Sequence, residues 1–232
     1  SLQGRPGKQL NPSSAKPSRE DDSKLSLVSW NVDGLDIENL IERAWGLCSY
    51  LDIYTPDVVF LQELIPPYVQ YLKKNAVSYL IIEGGKEGYF TGMMLKRSRV
   101  ELLEKNIVPY PTTTMLRNLL VAQVDHKLCL MTSHMESCKG HAEERMKQLR
   151  VVMQRMTDAP DDVTVLFGGD TNLRDTEVIH TLIWAVPGES GQTRARSAWP
   201  LPDHMALIGR EKLDCGRFTS DHWGIYCCFV ST

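Results

Sequence analysis

The stretch Leu25-Ser-Leu-Val-Ser-Trp-Asn-Val-Asp-Gly34 decides how the rest of the chain is read. Leu25 to Val32 is apolar enough to be a mostly buried strand. Asp33-Gly34 then ends it as a turn, because Asp and Gly tolerate the backbone angles a turn demands. A buried strand that stops on Asn31 and Asp33 places polar side chains at a strand end, where loops commonly build sites.

Working outward, the same design recurs. Asp36 can cap a helix whose apolar residues Ile37, Leu40, Ile41, Ala44, Leu47, Cys48 and Leu51 follow helical spacing, with Pro56 as its stop. Asp57 to Gln62 is a second buried strand, ending at Glu63. Pro66-Pro67 opens a short helix through Lys74. Short strands are expected around 79–83, 89–95 and 99–103. Leu119–Val124 and Leu128–Thr132 read as a hairpin turning at 125–127. A further helix runs from Gly140 to about Thr157, with Ala142, Met146, Leu149, Val152, Met153 and Met156 as its apolar side. Val163–Phe167 is a strand ending in Gly168-Gly169-Asp170, and Trp223–Val230 is the last. Helices that fall between groups of short strands predict an α/β sandwich of two sheets flanked by helices. Residues 180–212 show poor periodicity, and no strand is assigned there.

Composition bounds the function. The chain has 232 residues, 42% hydrophobic and 24% charged, as a globular domain requires. No apolar run approaches the roughly 20 residues of a membrane span. The net charge is −3, which excludes a bulk cationic wrapper of nucleic acid but not a local basic groove. The first 24 residues hold five basic and three acidic side chains, so the remainder is more acidic, at −5. Ser1 to Ser23 is Ser-, Pro- and Gly-rich and reads as a solvated tail, with 24–232 as one domain. The six cysteines form no Cys-x-x-Cys pair, which argues against a zinc ribbon, and most lie in apolar runs as small core residues, which points to a reducing compartment with no disulfide framework.

Five polar clusters sit at strand ends: Trp30–Gly34, Gln62-Glu63, Thr132–Glu136, Gly168–Asn172 and Ser220–His222. Singly, each has an ordinary reading as a turn, a cap or a buried histidine. Together they suit one reaction. Asn31 and Glu63 are hard oxygen donors of the kind that hold Mg²⁺ with waters. Asp170 can take a proton from water, Asn172 can orient it, and His134 and His222 can donate to developing charge on phosphate oxygens. That set describes metal-assisted phosphodiester hydrolysis. Ser220, Asp221 and His222 are consecutive, and neighbours on an extended segment point apart, so a Ser-His-Asp triad is not expected.

In this order, Trp-Asn with Asp-Gly, Gln-Glu, Thr-Ser-His, Gly-Asp-x-Asn and Ser-Asp-His resemble the endonuclease/exonuclease/phosphatase superfamily. The stretches Glu87-Gly-Tyr-Phe-Thr91, Met115-Leu-Arg-Asn-Leu119, Gly169–Asp175 and Glu211–Phe218 resemble its tyrosyl-DNA phosphodiesterase branch. The resemblance implies a four-layer α/β/β/α sandwich of the deoxyribonuclease I type. It implies hydrolysis of the bond between a topoisomerase II tyrosine and a 5′ DNA phosphate during double-strand break repair, in the nucleus and also the cytoplasm. By position, Glu63, Asn31 and Asp170 would hold Mg²⁺, for which Mn²⁺ can substitute. Asp170, Asn172, His134 and His222, with Asp221 beside it, would act on water and phosphate. Tyr89, Arg117 and Arg174 would hold the DNA strand. The polar tail resembles the linker that follows the family's ubiquitin-binding domain, which this sequence does not contain.

Between Asp175 and Leu207 the chain departs from that family. The departure predicts one sheet short of two strands, an exposed apolar edge, and the loss of the carboxylate that orients His222. Two rival readings remain: a DNA-end or protein binder without turnover, and another phosphodiesterase of the superfamily.

Overall fold

Alternation along two parallel strands sets the layers. In β1 (Lys24–Asn31) and β2 (Val58–Leu64), Leu27, Val58 and Phe60 face one apolar cluster while Val28, Trp30, Val59 and Leu61 face another. Such two-sided burial is possible only for strands covered on both faces. The computed structural model describes residues 23–124, 127–174 and 203–230. The tail to residue 22, the turn residues 125 and 126, and most of the departing segment lie outside the described residues.

The outer face of β1 and β2 is covered by helices α1 (Leu40–Tyr54) and α2 (Pro66–Asn75). Their strands belong to a six-stranded sheet that also contains β3 (Tyr79–Glu83), β4 (Phe90–Lys96), β9 (His204–Ile208) and β10 (Gly224–Val230), ordered β3-β4-β2-β1-β10-β9. The inner face meets a four-stranded sheet, ordered β5 (Leu102–Pro109), β6 (Asn118–Val124), β7 (Leu128–His134) and β8 (Thr164–Asp170). Helix α3 (Ala142–Thr157) covers that second sheet through Leu149 and Val152. The result is the four-layer α/β/β/α sandwich expected. No helix among the described residues is long and apolar enough to cross a membrane.

Several local expectations are corrected. Helix α1 begins at Leu40 rather than after Asp36, because Asn39 adopts a left-handed backbone and Asp36 is used to bind Arg217. Ile37 and Ile41, expected on the buried side, are exposed. On α3, Met146 and Met156 pack against the core as expected, but Met153 is exposed, and Arg145 and Gln148, which the apolar spacing passed over, are buried. Strand β5 starts at Leu102, later than the 99–103 expected, because Lys96 to Val100 form a turn. Strand β9 falls where no strand was assigned.

Among the described residues the second sheet has four strands against six in the first. Strand β8 lies over β1 and β2, so β9 and β10 project beyond it. Register puts Met205, Leu207 and Ile225 on the same face as Leu27, the face between the sheets. There they are 58, 54 and 40% exposed. Among the described residues, the apolar edge that the sequence implied is therefore present.

Candidate active site

Where the apolar gap between the sheets ends, the same faces continue as polar residues. Asn31 follows Leu27 and Ser29 on β1, Gln62 follows Val58 and Phe60 on β2, Thr132 and His134 follow Leu130 on β7, and Asp170 follows Leu166 on β8. The parallel pairings β1–β2 and β7–β8 bring all four carboxyl-terminal ends to one rim. In the β7–β8 register His134 lies opposite Asp170.

Glu63 follows Gln62 directly and would point away from this rim in a regular strand. A register break between Leu61 and Leu64, with Glu63 at φ 60°, turns its carboxylate back. A left-handed backbone costs a non-glycine residue about 1–2 kcal/mol and is typical of site residues held by their surroundings. Asp33 and Asn172 share it, at φ 50° each. Gly34 completes the turn because a side chain there would strike the Glu63 carbonyl, 2.0 Å away.

The cluster is tied together by Asn31, which is 4% exposed. Its Nδ2 donates to Glu63 Oε1 at 3.2 Å and to Asp170 Oδ2 at 3.0 Å. Its Oδ1 accepts the Asp33 N–H at 3.0 Å. The Asn31 oxygen expected to face a metal is thus engaged within the loop, and the amide nitrogen spaces the two carboxylates. Asp170 Oδ1 accepts the backbone N–H of Asn172, whose Nδ2 donates to the Met135 carbonyl.

Two histidines flank the carboxylates in opposite electrostatic settings. His134 Nε2 is 3.5 Å from Asp170 and 3.9 Å from Glu63. Arg117 Nη1 donates to His134 Nδ1 at 2.8 Å, which leaves the imidazole proton on Nε2, facing the carboxylates. Burial, and then the Arg117 charge, hold the His134 pKa down to about 4, so it is a neutral donor at physiological pH. His222 lies 3.6 Å from Asp170 through Nε2. Burial disfavours its charged form, but the hydrogen bond and charge of Asp221 outweigh burial and raise its pKa. Asp221 Oδ1 sits 2.5 Å from His222 Nδ1. This corrects two expectations: His222 does have a carboxylate partner, and these consecutive side chains do meet. Ser220 turns away and donates to the Asn31 carbonyl.

Burial raises the Glu63 pKa, opposed by the Asn31 hydrogen bond and reinforced by Asp33 and Asp221. This gathering of negative charge suits a divalent cation. Among the described residues no three His, Cys, Asp or Glu side chains form a metal cage. Glu63 and Asp170 nevertheless suffice as protein ligands for an ion that keeps several waters.

Arg117 lies 4.7 Å over the Tyr89 ring. Both line a cleft with Phe90, Thr91, Leu116, Asn118 and His134. Arg174 is exposed at the end of the described loop and is not drawn into the hydrogen-bonded cluster. Sequence reasoning missed two buried arginines. Arg43 donates to the carbonyls of Val32, Asp33, Asp36 and Glu38, fixing the loop after β1. Arg145 donates to those of Glu136 and Cys138, fixing the loop after β7. Both stand within apolar helical stripes, where the apolar periodicity reads a charged residue as a gap.

A four-layer sandwich with amide, carboxylate and histidine side chains on one rim defines the phosphodiesterase and phosphatase class that shares the deoxyribonuclease I-like fold. A model described as the Endonuclease/Exonuclease/phosphatase family matches residues 28–222. Tyrosyl-DNA phosphodiesterase 2 of Danio rerio is 56% identical, with 91% of this chain and 68% of the relative covered. The Homo sapiens protein of that name is 46% identical over 90% of this chain and 69% of its own. A crystal structure of the Danio rerio protein complexed with single strand DNA product has TM-score 0.83 and 54% identity, covering 90% of this chain and all of that one. The chain therefore belongs to the endonuclease/exonuclease/phosphatase family, in its tyrosyl-DNA phosphodiesterase 2 branch. The match to the first relative spans 252 residues yet covers 91% of a chain of 232, so that relative has residues within the match that this chain lacks. Enzymes of this family generally depend on a divalent metal.

Proposed function

We propose that this chain hydrolyses the phosphodiester bond between a tyrosine and a 5′ DNA end, with Mg²⁺ as the metal. Mn²⁺ would be an acceptable substitute, and topoisomerase II adducts would be the cellular substrate, met chiefly in the nucleus. The observation that carries this reading is that Asn31 bonds both Glu63 and Asp170 while His134 and His222 stand 3.5 and 3.6 Å from Asp170, in a chain 56% identical to a tyrosyl-DNA phosphodiesterase 2.

The residues divide the work. Glu63 and Asp170 would hold Mg²⁺ with Asn31 spacing them, and the ion when bound supplies positive charge to the phosphate. Asp170 orients the attacking water and takes its proton, while Asn172 holds the loop that carries Asp170 in register. His134 donates through Nε2–H as a neutral group, and His222, whose charged form Asp221 favours, donates from the other side to the non-bridging oxygens as charge develops there. Asp221 orients His222. The tyrosine phenol has a pKa near 10, so it leaves without strong general-acid help. Arg117 and Tyr89 grip the strand at the cleft by charge and stacking, and Arg174 adds a backbone contact from the loop beyond Asn172.

Incubating a 5′-phosphotyrosyl oligonucleotide with the chain and Mg²⁺ tests the reading. Release of tyrosine and a 5′-phosphorylated oligonucleotide, abolished by Asp170→Asn, is the expected result. No release above that control overturns it. The second reading, a DNA-end binder without turnover, draws on the residues that the relative has and this chain lacks. It predicts end binding weakened by Arg117→Ala, with no product.

A further inference from the structure

We propose that Glu136 is a positioning residue: its buried carboxylate buckles the Tyr110–Arg117 loop onto the end of β7 and so sets the Arg117 guanidinium against His134. The proposal rests on the functional reading above, since it concerns the side of the cleft that would receive the DNA end.

Glu136 lies two residues beyond His134, and its carboxylate bonds the Thr113–Met115 segment and α3. It is 0% exposed. Oε1 accepts the backbone N–H of Thr114 at 2.6 Å, its hydroxyl at 2.7 Å and the Met115 N–H at 2.9 Å. Oε2 accepts the Thr113 hydroxyl at 2.8 Å and Gln148 Nε2 at 2.9 Å. The five donors are neutral, and both oxygens are saturated. Helix α3 holds the residue's backbone as well: Gln148 Oε1 accepts its N–H, and Arg145 donates to its carbonyl. One end of the buckle is therefore anchored in a buried helix face and the other in the loop.

The loop end leads directly to Arg117. The Thr113 hydroxyl gives its only proton to Glu136 and accepts the Arg117 backbone N–H at 2.9 Å. Between the clamped Met115 and Arg117 stands Leu116, 86% exposed and at φ 56°. A leucine in the left-handed region costs about 1–2 kcal/mol. Such a conformation persists only where its surroundings over-determine it. Here the restraints are the bonds from Glu136 on one side and the His134–Arg117 contact on the other. Arg117 is 7% exposed and has little room to find a different path to Nδ1. A loosened loop would let Leu116 relax, and the guanidinium would move with it. Glu136 also offers Arg117 a compensating negative charge, where burial lowers the arginine pKa.

The test uses Glu136→Gln, which keeps the volume but turns one acceptor oxygen into an NH₂ facing donors. Thr113→Val deletes only the relay, and Thr113→Ser restores it. Imidazole ¹⁵N NMR reads the His134 tautomer without any substrate. Wild type and Thr113→Ser should show the Nε2–H form alone, whereas Glu136→Gln and Thr113→Val should show a second tautomer. Binding of a 5′-phosphorylated oligonucleotide should weaken on the order of tenfold, about one positioning hydrogen bond. In an Arg117→Ala background Glu136→Gln should add no further loss. A folded Glu136→Gln or Thr113→Val protein with the wild-type tautomer pattern overturns the proposal, as do losses that multiply. If wild type binds the phosphorylated end but never cleaves tyrosyl DNA, the catalytic reading fails, while the tautomer and binding measurements still decide the role of Glu136.

Discussion

Asp221 and His222, adjacent in sequence, face each other across 2.5 Å, carboxylate Oδ1 to imidazole Nδ1. The backbone between them is pinned from beneath. The His222 carbonyl accepts the Trp30 indole N–H at 2.9 Å, and its own N–H donates to the Ser220 hydroxyl at 3.1 Å. A carboxylate buried against a catalytic histidine can be worth on the order of 10⁴ in rate. Here the side chains are 64 and 47% exposed, so water screens the charge and competes for the bond. Asp221→Asn is therefore expected to lower kcat only about tenfold, with KM little changed, in steady-state cleavage of a tyrosyl oligonucleotide. A loss of a thousandfold or more would show that the exposed pair does the work of a buried one.

Glu63 presents a half-buried carboxylate to Asp170 through Asn31, with Asp33 and Asp221 close enough to repel it. Without a cation this crowding opposes folding. Glu63→Gln is expected to match or exceed the wild-type melting temperature in chelator. Adding Mg²⁺ should raise the wild-type melt, because a ligand that binds only the folded state stabilises it by RT ln(1 + [L]/Kd). The variant should not respond, and its turnover should fall to background. Equal Mg²⁺ responses in paired thermal melts would remove Glu63 from the metal site.

The layered fold was legible because β1 and β2 alternate between two apolar clusters and stop abruptly on polar residues. The rim was legible for the same reason: Asn31, His134 and Asp170 continue faces that are apolar up to that point. Glu63 was visible as a residue type, but not how it reaches the rim, since nothing local announces a left-handed backbone at a glutamate. Arg43, Arg145 and Gln148 were hidden because helical periodicity is read from apolar residues, and a buried polar residue is indistinguishable from a gap in the stripe. The contact between Asp221 and His222 contradicted a rule for extended strands, which does not hold in the bend before β10. Strand β9 was missed because Met205 and Leu207 lie on an uncovered face, so its burial pattern lacks the alternation that marks a half-buried strand.

Glu136 makes the acid limb of stability specific. Burial alone would raise its pKa, but hydrogen bonds from Thr114, Gln148 and Thr113 outweigh burial and hold it down to about 2. A carboxylate depressed in the folded state stabilises the fold above its unfolded pKa, near 4.5. That contribution is lost as pH falls from there toward 2. The wild-type advantage over Glu136→Gln in urea unfolding should then be full at pH 6, about 2–3 kcal/mol, and shrink through pH 4 and 3. An advantage independent of pH would mean that the bonds, rather than the charge, account for the whole effect.

Trp30 links the core to the loop that carries His222, and the two glycines against its ring are the sensitive points. A Cβ on Gly209 would lie 2.2 Å from the indole, with φ at 82°, and one on Gly224 would lie 2.6 Å from it. Gly209→Ala therefore combines a steric clash with backbone strain and should cost about 3 kcal/mol or more. Trp30→Phe keeps most of the apolar surface but removes the donor to the His222 carbonyl, which should cost about 1–2 kcal/mol. If the indole bond positions His222, Trp30→Phe should also lower kcat several-fold at a temperature where the variant is fully folded. Urea titration and steady-state rates on the same samples separate the two effects. Full turnover by folded Trp30→Phe would show that the tryptophan serves packing alone.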